Sequence, residues 1–87
     1  MNVEEFEDAI WETDGIRVSV RAPRDTEIAE PYEYERALDG GRTIKDLRNL
    51  RIESCLGKEL DYDILDGDFE TPNGRMKLKT LRESYDD

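Results

Sequence analysis

The chain has 87 residues, enough for a single domain over 1–87 and close to the size at which one core just offsets chain entropy. Asp and Glu number 23 against 13 Lys and Arg, a formal net charge of -10 with no histidine; this repels nucleic acid and anionic membranes unless the bases gather on one face, and it rules out imidazole-based triads, dyads and His-ligated zinc. Hydrophobic residues make up 36% and charged residues 41%, but apolar periodicity in several places favours a folded, highly charged α+β unit over disorder.

Taken in chain order, Asn2 with Glu5 has the form of a capping box, and Val3, Phe6 and Ile10 recur at helical spacing. Asp14-Gly15 is at the same time a hairpin signal, with Ile10 to Thr13 before it and Ile16, Val18 and Val20 alternating with Arg17, Ser19 and Arg21 after it. A helix over 3–8 followed by a hairpin reconciles the two, with Trp11 across from the second strand and covering its apolar face. Ala22-Pro23 ends that strand, since proline lacks the amide a ladder needs, and residues 24–31 read as a connecting loop. From Tyr32, the alternation of Tyr32, Tyr34, Arg36 and Leu38 with Glu33, Glu35 and Ala37 predicts a third strand, closed by Asp39-Gly40-Gly41.

The segment from Gly41 to Gly57 carries the clearest helix. Thr43 is a good N-cap, Asp46 can complete a capping box, and Gly57 suits a left-handed C-terminal conformation. Ile44, Leu47, Ile52, Cys55 and Leu56 fall in one broad sector, but Arg51 projects into that sector and Leu50 sits off its edge, so the helix either loosens near Leu50 or buries both sides. Leu60, Tyr62 and Ile64 then oppose Glu59, Asp61 and Asp63 with period two, a fourth strand turned by Asp66-Gly67. Phe69 begins a further run, Thr71-Pro72-Asn73-Gly74 is a turn, and Met76 and Leu78 alternate with Arg75, Lys77 and Lys79 as a basic strand edge. Thr80 with Glu83 repeats the capping-box pattern and starts a short terminal helix holding Leu81 and Tyr85. The expected architecture is a small antiparallel sheet of about four to six strands packed on one central α-helix, with short terminal helices.

Chemistry has little material here. DYDILDGDFE is rich in oxygen ligands, but Asp66-Gly67 falls one residue out of step with an EF-hand loop, and Asn73 stands where its bidentate Glu belongs. A solvated acidic face accounts for these residues without a metal. Cys55, on the apolar side of the helix, reads as a small core residue rather than a nucleophile. No catalytic, cofactor-binding or metal-binding residue is assigned, and the chain is not expected to be an enzyme. Arg42, Lys45, Arg48 and Arg51 along the central helix, with Arg75, Lys77 and Lys79, suggest a basic surface, but each cluster has acids nearby and internal charge compensation explains both; no direct nucleic-acid contact is expected. One cysteine, no bilayer-spanning apolar run, no secretory leader pattern and no Asn-x-Ser/Thr site suggest a soluble cytoplasmic protein.

The acidic side is more suggestive. On one strand face Glu59, Asp61 and Asp63 would lie about 6.6 Å apart, close to two phosphate steps along one DNA strand at about 3.4 Å each. Glu4, Glu5, Glu7, Asp8, Glu12 and Asp14 add charge without a compensating base between them. The candidate partner-binding residues are therefore Glu4, Glu5, Asp8, Glu33, Glu35, Glu59, Asp61, Asp63, Asp66 and Asp68, with Tyr32 and Tyr34 as aromatic anchors. Trp11 is read first as core, and the two tyrosines stay open between core and interface.

In size, acidity and lack of a catalytic set, carried by these carboxylates and by Glu33 and Glu35 beside Tyr32 and Tyr34, the chain resembles phage-encoded inhibitors such as anti-CRISPR proteins and other DNA mimics. The resemblance is one of composition along the whole chain, and the 13 basic residues depart from the most extreme mimics. It implies occlusion of a basic, nucleic-acid-binding surface on a partner protein in a bacterial host cell, with no chemistry performed. A homo-oligomeric phage or cellular accessory module, whose basic helix pairs with acidic strands of another copy, is the alternative from another class. An antitoxin or immunity protein would share the acidic mode of action and differ in target.

Overall fold

The computed structural model of the chain describes residues 1–57 and 59–85. Helix α1, Val3–Asp14, starts on the expected reciprocal cap: Asn2 Oδ1 accepts the Glu5 amide at 2.9 Å and Glu5 Oε1 accepts the Asn2 amide at 3.1 Å. It does not stop at residue 8. Gly15 takes the left-handed conformation at φ 68° and donates its N–H to the Trp11 carbonyl at 3.0 Å, so Asp14-Gly15 is a helix C-cap rather than a hairpin turn. The same freedom at positive φ serves both motifs, and the local sequence does not separate them. Residues 10–13 are accordingly helical, and Trp11 is 46% exposed rather than core.

Strand β1, Arg17–Val20, pairs antiparallel with β2, Tyr62–Leu65, in the register Arg17↔Leu65 to Val20↔Tyr62. This sheet is two-stranded, smaller than the expected four to six strands. The outward amide of Val20 is taken by the Glu7 carboxylate of α1 at 2.8 Å, so α1 covers an edge where a further strand would dock. Residues 32–38 do not form the expected third strand: Tyr32 turns into the core, edge-on to Phe6 at 5.6 Å, and the segment crosses the molecule as coil. Its alternation reflects side chains anchoring a loop to the core, a pattern that period two alone cannot distinguish from a strand.

The central helix begins as expected at Thr43, with Asp46 as its reciprocal partner, and ends at Gly57 with φ 71°. Between the α-helical turns α2, Ile44–Leu47, and α3, Glu53–Leu56, runs a π-helical stretch, Arg48–Ile52. It falls where the apolar pattern broke. At about 100° per residue, an unbroken α-helix would spread the apolar positions over about 180° with Arg51 among them. A wider π turn removes roughly one residue's rotation, which narrows the sector to about 100°. Ile44, Leu47, Ile52, Cys55 and Leu56 are then all buried, and Leu50 is left 51% exposed.

Beyond β2, Asp66 begins a tight turn, and the Asn73 turn forms as expected, with Asn73 Oδ1 accepting the Arg75 amide at 2.8 Å. The basic segment 75–79 contributes only an isolated bridge, Thr43↔Lys77, and helix α4, Leu78–Ser84, begins at once. Thr80 therefore lies inside α4 instead of capping it. The first-turn amides of Leu78 and Lys79 are satisfied by the carbonyls of Arg42 at 2.8 Å and Gly40 at 3.0 Å, so no side-chain cap is required. Together α1, the central helix, α4 and the sheet make a small α+β fold whose core joins Phe6, Ile10, Ile16, Ile44, Leu47, Ile52, Ile64, Leu78 and Leu81. Among the described residues no helix is long and apolar enough to cross a membrane.

Candidate interaction surface

The expected row of strand carboxylates is not built. β2 starts at Tyr62, so Glu59 and Asp61 precede it, both exposed, and only Asp63 lies in the strand. Asp63 is chelated by Arg21, Nη2 to Oδ2 at 2.8 Å and Nε to Oδ2 at 3.1 Å, and this pairing raises the Arg21 pKa. Asp66 is spent on its own loop, its Oδ1 accepting the amides of Asp68 at 2.8 Å and Glu70 at 3.0 Å, whereas Asp68 projects to solvent. Glu33 and Glu35 are exposed on coil, while the rings beside them turn inward.

Tyr32 and Tyr34 belong to a buried network centred on Asp14, which is 1% exposed. Tyr32 donates its hydroxyl to Asp14 Oδ2; Arg51 Nη1 lies 2.9 Å from the same oxygen, and the Leu38 amide donates to Oδ1 at 2.8 Å. Arg82 donates through Nε to the Asp14 carbonyl at 2.7 Å and sits 3.7 Å from the carboxylate. Burial, reinforced by the neighbouring Asp14 carboxylate, pushes the Tyr32 pKa well up. The Arg51 guanidinium lies 4.3 Å over the Tyr34 ring. These groups hold the core together and leave Tyr32 no surface for a partner.

The α1 acids do form a surface. Glu4, Asp8 and Glu12 stand four residues apart along one stripe, with Trp11 beside Asp8 at its edge, and all are exposed. Glu5 is exposed next to the stripe but serves the N-cap. Glu4 meets Arg24 at 3.9 Å with both side chains largely solvated, a contact of small energetic weight; Asp8 and Glu12 have no ion-pair partner among the described residues.

The stripe runs into a patch that the sequence reading missed. The Arg17 guanidinium lies 4.3 Å from the Phe69 ring centroid, 5.2 Å from Tyr85 and 6.0 Å from Trp11, and Trp11 meets Tyr85 edge-on at 5.4 Å. The Tyr85 hydroxyl accepts the Arg17 amide at 3.0 Å and donates to the Leu65 carbonyl, closing the end of the β1–β2 ladder. Phe69 is 68% exposed and has φ 62°, a backbone conformation that a bulky side chain rarely adopts. The Asp66 turn holds it there, with the Phe69 amide bonded to the Asp66 carbonyl at 3.1 Å. At Gly67 an added Cβ would lie 1.7 Å from the Ser84 carbonyl oxygen, so the loop needs glycine to sit on α4. A groove of about 240 Å³ beside the patch is lined by Glu7, Trp11, Arg17 and Val18. Positions 11, 17, 69 and 85 are scattered along the chain, and no local pattern joins them; the nearest sequence signal is Phe69, read as the start of a further run after the Asp66-Gly67 turn.

Other candidate chemistry is sparse. A wider groove of about 640 Å³ is lined by Arg48, Glu53, Gly57, Leu60, Asp61 and Tyr62, with the Arg48 guanidinium 5.8 Å from the Tyr62 ring. No group of side chains among the described residues is arranged to hold a metal ion. Cys55 is buried, its Sγ 3.6 Å from the Pro31 carbonyl, and burial pushes its thiol pKa up, away from the thiolate a nucleophile requires. No family model matches the chain, and no curated protein and no solved structure matches it either.

Proposed function

We propose that this chain is a small binding inhibitor, of the anti-CRISPR or DNA-mimic kind, that occludes a basic nucleic-acid-binding surface of a partner protein and performs no chemistry. The observation that carries this is the stripe of Glu4, Asp8, Trp11 and Glu12 on α1, continuous with the patch where exposed Phe69 packs on Arg17. Solvated carboxylates, of which only Glu4 has an ion-pair partner among the described residues, steer a Lys/Arg surface and compete with phosphate for it. Exposed Trp11 and Phe69, with the half-buried Arg17 between them, supply the anchors that carry most interface affinity. The contact surface thus moves from the strand acids to α1 and the Phe69 loop.

The test is capture from bacterial lysate on the tagged protein at low and raised salt, followed by identification of what is retained and competition with duplex DNA. A nucleic-acid-binding protein released by salt and by DNA, and lost with E4Q/D8N/E12Q, is the expected result. Recovery of this chain alone, as a defined oligomer, would replace the reading with a self-assembling accessory module.

A further inference from the structure

The bridge between Thr43 and Lys77 brings two distant basic segments onto one face. The Ile44 amide donates to the Met76 carbonyl at 2.9 Å, Lys45 to Gly74 at 3.0 Å, Leu78 to Arg42 at 2.8 Å and Lys79 to Gly40 at 3.0 Å, so 40–45 and 74–79 run antiparallel side by side. Ile44 and Leu78 point into the core at 0% exposure. Arg42, Lys45, Arg75, Lys77 and Lys79 are all exposed along this seam, with Lys77 opposite Thr43 and with Lys45 and Lys79 in the first turns of α2 and α4. None of these cations has an acid within ion-pair distance among the described residues. Of the nearest acids in sequence, Asp39 Oδ1 accepts the Gly41 amide at 2.7 Å, Asp46 Oδ2 accepts that of Thr43 at 3.2 Å, and Glu83, four residues on from Lys79 along α4, is exposed and forms no ion pair with it. The internal compensation expected of these bases holds for Arg51, which is bound to Asp14, and not for this group.

We propose that this face contacts the phosphate backbone of a nucleic acid, so that the target of the inhibitor is a nucleoprotein complex: the α1 stripe meets the protein, and the Lys45–Arg75–Lys77–Lys79 face meets the nucleic acid it holds. This rests on the function proposed above for the acidic stripe. The chemistry of the face favours phosphate over an acidic protein. Solvated Lys and Arg stems rise from glycine-flanked backbone, and the large exposed apolar side chains, Trp11, Leu50 and Phe69, all lie outside these two segments, whereas protein interfaces centre on such anchors. Phosphate contacts need no pocket and no aromatic anchor. A net charge of -10 weakens the capture of free nucleic acid without abolishing it at low salt, and a basic protein that neutralises α1 strengthens the contact.

The probes are a fluorescein-labelled 20-nucleotide single strand and a 20-base-pair duplex, titrated by anisotropy from 20 to 200 mM NaCl. Wild-type protein is expected to bind at the low end, with log K falling against log salt with a slope of about -3 for four contacts on a single strand. The variant K45Q/R75Q/K77Q/K79Q, checked for an unchanged melting temperature, should lose at least about tenfold in affinity, and E4Q/D8N/E12Q should gain several-fold as repulsion is relieved. No binding at 20 mM NaCl, or equal binding by wild type and the quadruple variant, overturns the proposal. Polyglutamate competing as well as the nucleic acid also overturns it and makes an acidic protein the partner. These titrations contain no partner protein, so their failure is separable from failure of the lysate capture.

Discussion

Asp14 ends α1, where the helix dipole disfavours a carboxylate, and it is buried as well. Its charge is tolerated because Arg51, Arg82, the Tyr32 hydroxyl and the Leu38 amide converge on it. Removing one partner of such a set strands the others. Asp14→Asn should therefore cost about 3 kcal/mol, read as a shift in the urea midpoint; a loss below about 1 kcal/mol would show the network to be incidental. Tyr32 predicts the alkaline behaviour. Its pKa is raised in the fold, so the folded state keeps a proton that the unfolded chain releases near pH 10. That contribution is complete below about pH 10 and is lost as pH climbs toward the folded value, at up to about 1.4 kcal/mol per pH unit. Tyr32→Phe should show a shallower loss of stability between about pH 10 and 11.5 than wild type. Tyr62 and Tyr85, also raised by burial, titrate in both proteins and cancel in the comparison.

At the level of elements, the π stretch of the central helix reconciles a helix length with a core. Thr43, Asp46 and Gly57 place its ends, but the apolar residues on either side of Leu50 are out of phase by about one residue's rotation. The sequence showed the conflict in Arg51 and Leu50 without showing which way it resolves. Packing decides, because Ile44 and Leu47 before the break and Ile52, Cys55 and Leu56 after it must all reach one core. Deleting Leu50 should remove the mismatch and yield a continuous α-helix with the same buried set, at a cost of less than about 1.5 kcal/mol by thermal unfolding. A loss of 3 kcal/mol or more would mean that the π turn itself carries stabilising contacts.

For the whole molecule, charge is the dominant property. Among the described residues five ion pairs form, two of them on the buried Asp14 and the others with at least one largely solvated partner, so most of the described acids contribute repulsion rather than pairing. Salt that shortens the Debye length to about 8 Å at 0.15 M should stabilise the fold. Raising NaCl from 20 to 200 mM is expected to increase Tm by several degrees, since about 1 kcal/mol corresponds to roughly 4–8 °C for a domain of this size. A fall in Tm would mean that attractive surface pairs outweigh repulsion.

The sequence by itself determined the α+β class, both helix starts with reciprocal caps, the strand alternation around Val18 and Ile64, and the core role of Cys55. Each rests on contacts within a few residues or on a period that leaves one face apolar. Tertiary structure alone decided that Asp14-Gly15 caps a helix, that Tyr32 is buried, that Trp11 is not, and that 75–79 feeds a helix rather than a strand. It also assembled the Arg17 patch and the basic face. Such groupings join residues far apart in the chain, and their partners are chosen by which surfaces remain to be covered once the core has formed. A local pattern holds no record of that choice.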